Sequence, residues 1–96
     1  MVNLLDDKVI STIQDLSEVG YTIQEIAEVV EIDTDTLLAI MEDKNSLITR
    51  AYLAGKNMLK YKTRKSIADL AANGSMPAAM KMLEIIQTQE SHEGCN

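Results

Sequence analysis

Few side chains in this 96-residue chain are placed to do covalent chemistry. His92 is the only histidine and Cys95 the only cysteine. Both sit in a polar C-terminal stretch, where a nucleophile–base pair would lack a rigid third partner to orient the base. Asp33-Thr34-Asp35 brings two carboxylates close together, but the glycine turn and distal glutamate of a calcium loop are missing. No GxxxxGK[ST] or GxGxxG phosphate cradle occurs. A non-enzyme without metal or cofactor is therefore expected, and binding is the chemistry that remains.

The groups best placed to bind something fall in two stretches. The first is Thr22–Met41, TIQEIAEVVEIDTDTLLAIM. Thr22-Ile23-Gln24-Glu25 is a capping box: the Thr22 hydroxyl can accept from the Glu25 amide while the Glu25 carboxylate reaches back to the Thr22 amide. Ile23, Ile26, Ala27 and Val30 then face inward, Glu31-Ile32-Asp33 breaks the helix, and Asp33 or Thr34 caps a second one. Leu37, Leu38, Ile40 and Met41 supply its apolar side. Ala27 is small enough to let two helix axes approach, and Ile32, Leu37 and Ile40 can lock their crossing. This is the pattern of a helix-turn-helix, whose second helix can present Thr34, Asp35, Thr36, Ala39 and Glu42 to base edges. That face carries carboxylates and no basic group.

The second stretch is Arg50–Lys65, which holds six basic residues and no acidic one. Lys56, Lys60 and Arg64 step by four and form a basic stripe on a helix. Lys44 and Arg50 extend the set of candidate phosphate contacts to Lys44, Arg50, Lys56, Lys60 and Arg64, beside Thr34, Asp35 and Thr36. The stripe reads equally as a charge partner for the acidic half of a neighbouring copy. Residues 1–45 hold eleven acidic and two basic side chains, a balance of −9, and residues 46–96 hold seven basic and four acidic, a balance of +3. The net charge of −6 argues against non-specific coating of DNA and leaves room for a local anionic contact.

The elements that must position these groups read as helices throughout. Asn3 can cap a first helix, with Asp6 and Asp7 in its first turn and an apolar stripe through Leu4, Leu5, Val9, Ile10, Ile13, Leu16 and Val19, stopping at Gly20. Ser46 or Asn45 opens the longest run, which reaches about Asn73 and places Leu47, Ile48, Ala51, Tyr52, Met58 and Leu59 on one side. Gly55 inside it marks a close helix crossing or a break, and Lys62 falls in the apolar sector. Asn73-Gly74 ends the run. Ser75 caps a last helix with Pro77 in its first turn, and Met76, Ala79, Met80, Met82, Leu83, Ile85 and Ile86 make it apolar nearly all round. No strand pattern or internal repeat is found.

Apolar residues make up 46% of the chain, with three Tyr and no Trp or Phe, so the core must be aliphatic. A chain this short buries a modest fraction of its surface, and oligomerisation is a natural supplement. Leu59, Leu70, Met76, Met80, Leu83 and Ile86 are the expected oligomer contacts. No signal-peptide-like run and no segment of membrane-spanning length is present, and nothing in the cysteine usage points to secretion. A cytoplasmic protein without membrane contact is expected.

The order GYTIQEIAEVVEIDTDTLLAIMED, then LITRAYLAGKNMLKYKTRKSIADLAANGSMPAAMKMLEII, resembles the small terminase subunit of tailed bacteriophages. The likeness covers roughly residues 20–87. It rests on a G-x-T-xx-x-IA-xx-x-x-I-xx-x-T pattern, followed by an A-x-x-G-x-x-x-A-x-x-x-L-L segment matched by Ala71, Gly74, Ala78 or Ala79, and Leu83. The resemblance implies a non-catalytic DNA-packaging component of the host-cell cytoplasm. Such a component assembles as a homo-oligomeric ring, recognises a viral packaging site in DNA and regulates a large subunit with ATPase and nuclease activity. Thr34, Asp35 and Thr36 would lie on its DNA-reading helix.

The expected architecture is all-α: a helix-turn-helix domain over 1–45, a long oligomerising helical hairpin over 46–88 and a flexible tail over 89–96. A transcriptional regulator acting as a dimer on a palindrome is an alternative, as is a helical protein–protein adaptor that binds no nucleic acid.

Overall fold

The computed structural model describes residues 6–94, with side chains through Ser91. It is all-helical, with no strand among the described residues. The five helices are α1 (Asp7–Glu18), α2 (Ile23–Val30), α3 (Thr34–Met41), α4 (Leu47–Ala72) and α5 (Met76–Gly94). The chain divides into two compact units, residues 1–60 and 61–96. The boundary expected at 45/46 therefore moves into α4. The reason is burial: Ile48, Thr49, Ala51 and Gly55, all in the first part of α4, belong to the interior of the first unit.

The core of that unit is Ile13, Ile26, Ala27, Val30, Leu37 and Ile48, with Val9, Ile10, Leu16, Ile23, Ile32, Ile40, Met41 and Tyr52 packed around it. α1 starts one turn later than expected. Asp6 is its N-cap, accepting from the Lys8 amide at 2.9 Å, rather than a first-turn residue. Asn3, Leu4 and Leu5 lie outside the described residues. Val19 is exposed instead of widening the stripe, because the helix has already ended and Gly20 has turned the chain.

Three helices stop in the same way. Gly20 and Gly74 take φ of +92° and +95°. At each, the next amide donates five residues back, Tyr21 to the Leu16 carbonyl and Ser75 to the Leu70 carbonyl. This left-handed stop satisfies carbonyls that the helix end would leave open. At the end of α2 the same bond runs from the Ile32 amide to the Ala27 carbonyl, but the left-handed residue is Glu31, at φ 58° and ψ 41°. It is the only non-glycine residue with positive φ among those described.

α1 and α4 meet at Gly55. A Cβ there would collide with the Ser17 hydroxyl and the Gln14 carbonyl of α1. The crossing reading of Gly55 is therefore the correct one, and α4 is unbroken there. Ser17 is 1% exposed. Its hydroxyl lies 3.0 Å from the Gln14 carbonyl and 3.0 Å from the Tyr52 carbonyl, so one proton serves two helices. At the other end, the buried Thr49 hydroxyl donates to the Ile40 carbonyl at 3.4 Å and ties α4 to the end of α3. No buried side-chain nitrogen or oxygen lacks a partner among the described residues.

In the second unit Ser75 caps α5, its hydroxyl accepting from the Ala78 amide at 3.4 Å. Pro77 sits in the first turn as expected, and Ala78 is buried. α5 runs on to Gly94, so residues 89–94 are helical rather than tail. Gln and Glu are good helix formers, and Lys81 pairs with Glu84 at 3.1 Å one turn apart. Cys95 lies outside the described residues.

Two stability predictions follow from these backbone features. Replacing Gly55 with Ala should destabilise the chain by about 1–3 kcal/mol in urea or thermal unfolding through overpacking, although Ala is the better helix former by roughly 1 kcal/mol. Glu31→Gly should do the opposite. Relief of a left-handed L-residue is worth roughly 1–2 kcal/mol, and glycine's extra unfolded-state entropy costs roughly 0.4–1 kcal/mol. A net gain of about 0.5–1 kcal/mol is expected in the same measurement.

Candidate nucleic-acid interface

α3 is held by both of its ends. The Asp33 carboxylate accepts the Thr36 amide at 3.3 Å and lies 3.5 Å from the Thr36 hydroxyl. Asp35 adds a second carboxylate in the first turn. The positive end of the helix dipole is thus already answered by two acids, and a phosphate brought there would meet negative charge. Thr34 is half-buried, and Asp35, Thr36, Ala39 and Glu42 are exposed. Leu38, expected on the apolar side, is 45% exposed. The core takes Leu37 fully, and Leu38 lies one residue round the helix from it.

The basic residues form the contrasting surface. Arg50, Lys56, Lys60, Lys62, Arg64 and Lys65 are all exposed on α4, and Lys44 is exposed in the connection from α3. Lys62 is exposed as well. The Lys56 ammonium lies 5.4 Å from the centre of the Tyr52 ring, a cation–π placement that orients its head. Arg50, Lys56 and Lys60 belong to the first unit, and Arg64 to the second. Thr34–Thr36 and the α4 cations are on different helices.

Leu47 and Met58 are exposed rather than packed. The inward face of α4 is set by the crossing at Gly55 and selects Ile48, Ala51 and Gly55. Leu53 is also exposed. Sequence reading passed over it, although its place three residues from both Arg50 and Lys56 was a signal. Of the expected oligomer contacts, Leu59 is half-buried. Its Cδ2 lies where a Cβ added at Gly20 of the same chain would touch it. Leu70, Met76, Met80, Leu83 and Ile86 are exposed. The four on α5 share one face by their spacing.

A cleft between α1 and α2, about 260 Å³ in volume, is lined by Lys8, Val9, Thr12, Val29, Val30 and Glu31 and opens broadly to solvent. It is a groove and not an enclosed reaction site. Among the described residues no three His, Cys, Asp or Glu side chains come together as metal ligands. No described helix is long and apolar enough to cross a membrane. Comparison with protein-family models, with curated proteins and with solved structures finds no match for the chain.

The capping box at α2 is formed in both directions, with 3.0 Å from the Thr22 amide to the Glu25 carboxylate and 3.2 Å from the Glu25 amide to the Thr22 hydroxyl. The bond from the Thr22 amide, then that from its hydroxyl, holds the Glu25 carboxyl below the usual glutamate range. The stabilisation is thus fully present above the ordinary glutamate pKa and is lost as pH falls through the depressed value. Urea midpoints measured across the acid range should show this loss in the wild type, and Glu25→Gln should remove that part of the pH dependence.

Proposed function

We propose that the chain is the non-catalytic DNA-recognition subunit of a phage genome-packaging complex. In this reading it works as a homo-oligomer, binds viral DNA and regulates a large ATPase/nuclease subunit. α2, the three-residue turn Glu31–Asp33 and α3 form its helix-turn-helix. α4 and α5 form a hairpin whose exposed Met76, Met80, Leu83 and Ile86 are covered in the assembly.

The observation that carries the reading is the set of six solvent-exposed cations on α4, in a segment without a carboxylate. They suit a phosphate backbone, whose contacts give affinity and position rather than sequence. DNA is therefore assigned to α4, while α3, with its acid-capped start, contributes shape. Repetition in an oligomer multiplies a modest single-copy contact. Support for the packaging role itself comes from the sequence resemblance.

The acidic face of α3 favours a second reading, a helical protein–protein adaptor without nucleic-acid binding. Duplex binding by fluorescence anisotropy separates the two. The packaging reading predicts wild-type affinity that falls as salt rises, with the log–log slope reduced by about 0.9 for each phosphate contact removed. Lys60→Glu, Arg64→Glu and Lys65→Glu together should reduce both affinity and slope. Absence of binding by the wild type, or unchanged binding by the triple variant, would refute α4 as the contact.

A further inference from the structure

Three leucines of the first unit stand in solvent, Leu38 on α3 and Leu47 and Leu53 on α4, and two of them lie inside helical charged frames of opposite sign. Leu38 on α3 and Leu53 on α4 are each 45% exposed. Exposed Asp35 lies one turn before Leu38 and exposed Glu42 one turn after it. Exposed Arg50 lies one turn before Leu53 and exposed Lys56 one turn after it. Spacings of three and four place each trio on one helix face. A single exposed leucine needs no explanation. Leu47 also lies between cations, but Lys44 precedes α4 in the connection, so Leu53 is the exposed leucine whose two cations share its helix face. Leu38 and Leu53 in complementary frames are a matched pair. Both remain exposed within one copy, so the match can be used only between copies.

We infer that α3 of one copy docks antiparallel on the first half of α4 of a second copy, with Leu38 against Leu53. In this register Asp35 faces Lys56 and Glu42 faces Arg50. The stacking of Lys56 over Tyr52 holds the ammonium in place. Each exposed ion pair is weak alone; burial of the two leucines at the centre removes water from the charges around them. Like-charged alternatives, α3 on α3 or α4 on α4, are repelled, so the same residues select the partner. The contact joins two different patches and is therefore heterologous, passing from copy to copy until it closes. It gives the carboxylates of α3 a role that DNA reading leaves unexplained. It does not depend on DNA binding, and Lys60, Arg64 and Lys65 remain outside it.

Cysteine pairing in the full chain tests this without DNA. In a Cys95→Ser background, one preparation carries Leu38→Cys and another Leu53→Cys, and the two are mixed under oxidising conditions. The mixed 38–53 disulfide should form in excess of either homodisulfide. It should be lost when the first chain also carries Asp35→Lys and Glu42→Lys, and regained when the second carries Arg50→Glu and Lys56→Glu. All four substituted charges are exposed, so folding is not at stake. Statistical amounts of the three disulfides, a mixed disulfide indifferent to the charge reversal, or loss without recovery in the double-reversed pair would each overturn the contact.

Discussion

Everything in the first unit depends on how closely α1 can approach α4. Gly55 removes the side chain that would hold the helices apart, and Ser17 fills the gap with a hydroxyl that one α1 carbonyl and one α4 carbonyl both require. A polar group this deeply buried is tolerated only because it is satisfied. With the crossing fixed, Ile48 and Ala51 must point inward. Arg50, Leu53 and Lys56 must then point outward, because a helix has one inner face. A local steric allowance on α4 thus decides which of its residues a partner can meet.

The charge pattern is the second constraint. The acidic residues serve first as local structure: Asp6 and Asp33 cap helices, and Glu25 closes the capping box. Several others remain in solvent across α1–α3, while six of the nine basic residues are on α4. Such a division puts opposite charge on different helices of one chain, while the net charge of −6 opposes non-specific attraction to polyanions. A polyanion and a neighbouring copy can draw on separate parts of the basic helix.

Features governed by near neighbours were legible in the sequence. The capping box at Thr22, the stops at Gly20 and Gly74 and the Ser75 cap each need only four to six residues to be recognised, and each is formed as read. Features governed by distant partners were not. Leu38, Leu47 and Met58 fit an apolar stripe by spacing, yet the core has room for Leu37, Ile48 and Ala51 instead. The interior boundary fell at 60/61 because the crossing at Gly55 draws α4 into the first unit, and a composition break at 45 cannot show that. Glu31 in a left-handed conformation was equally hidden, since glycine is the residue that announces such a turn. For the candidate interface, the basic stripe was visible by its step of four, whereas the exposed leucines became visible only once the inner faces were known.

In the proposed assembly, the apolar and charged faces left open by one chain are closed by further copies of it. Among the described residues the second unit buries one apolar residue, Ala78, against exposed Leu70, Met76, Met80, Leu83 and Ile86, and exposed apolar area of this kind marks an interaction site. Native mass spectrometry of the intact protein tests this most directly. A closed assembly of several identical subunits is the predicted result. A monomer at all salt concentrations would contradict it.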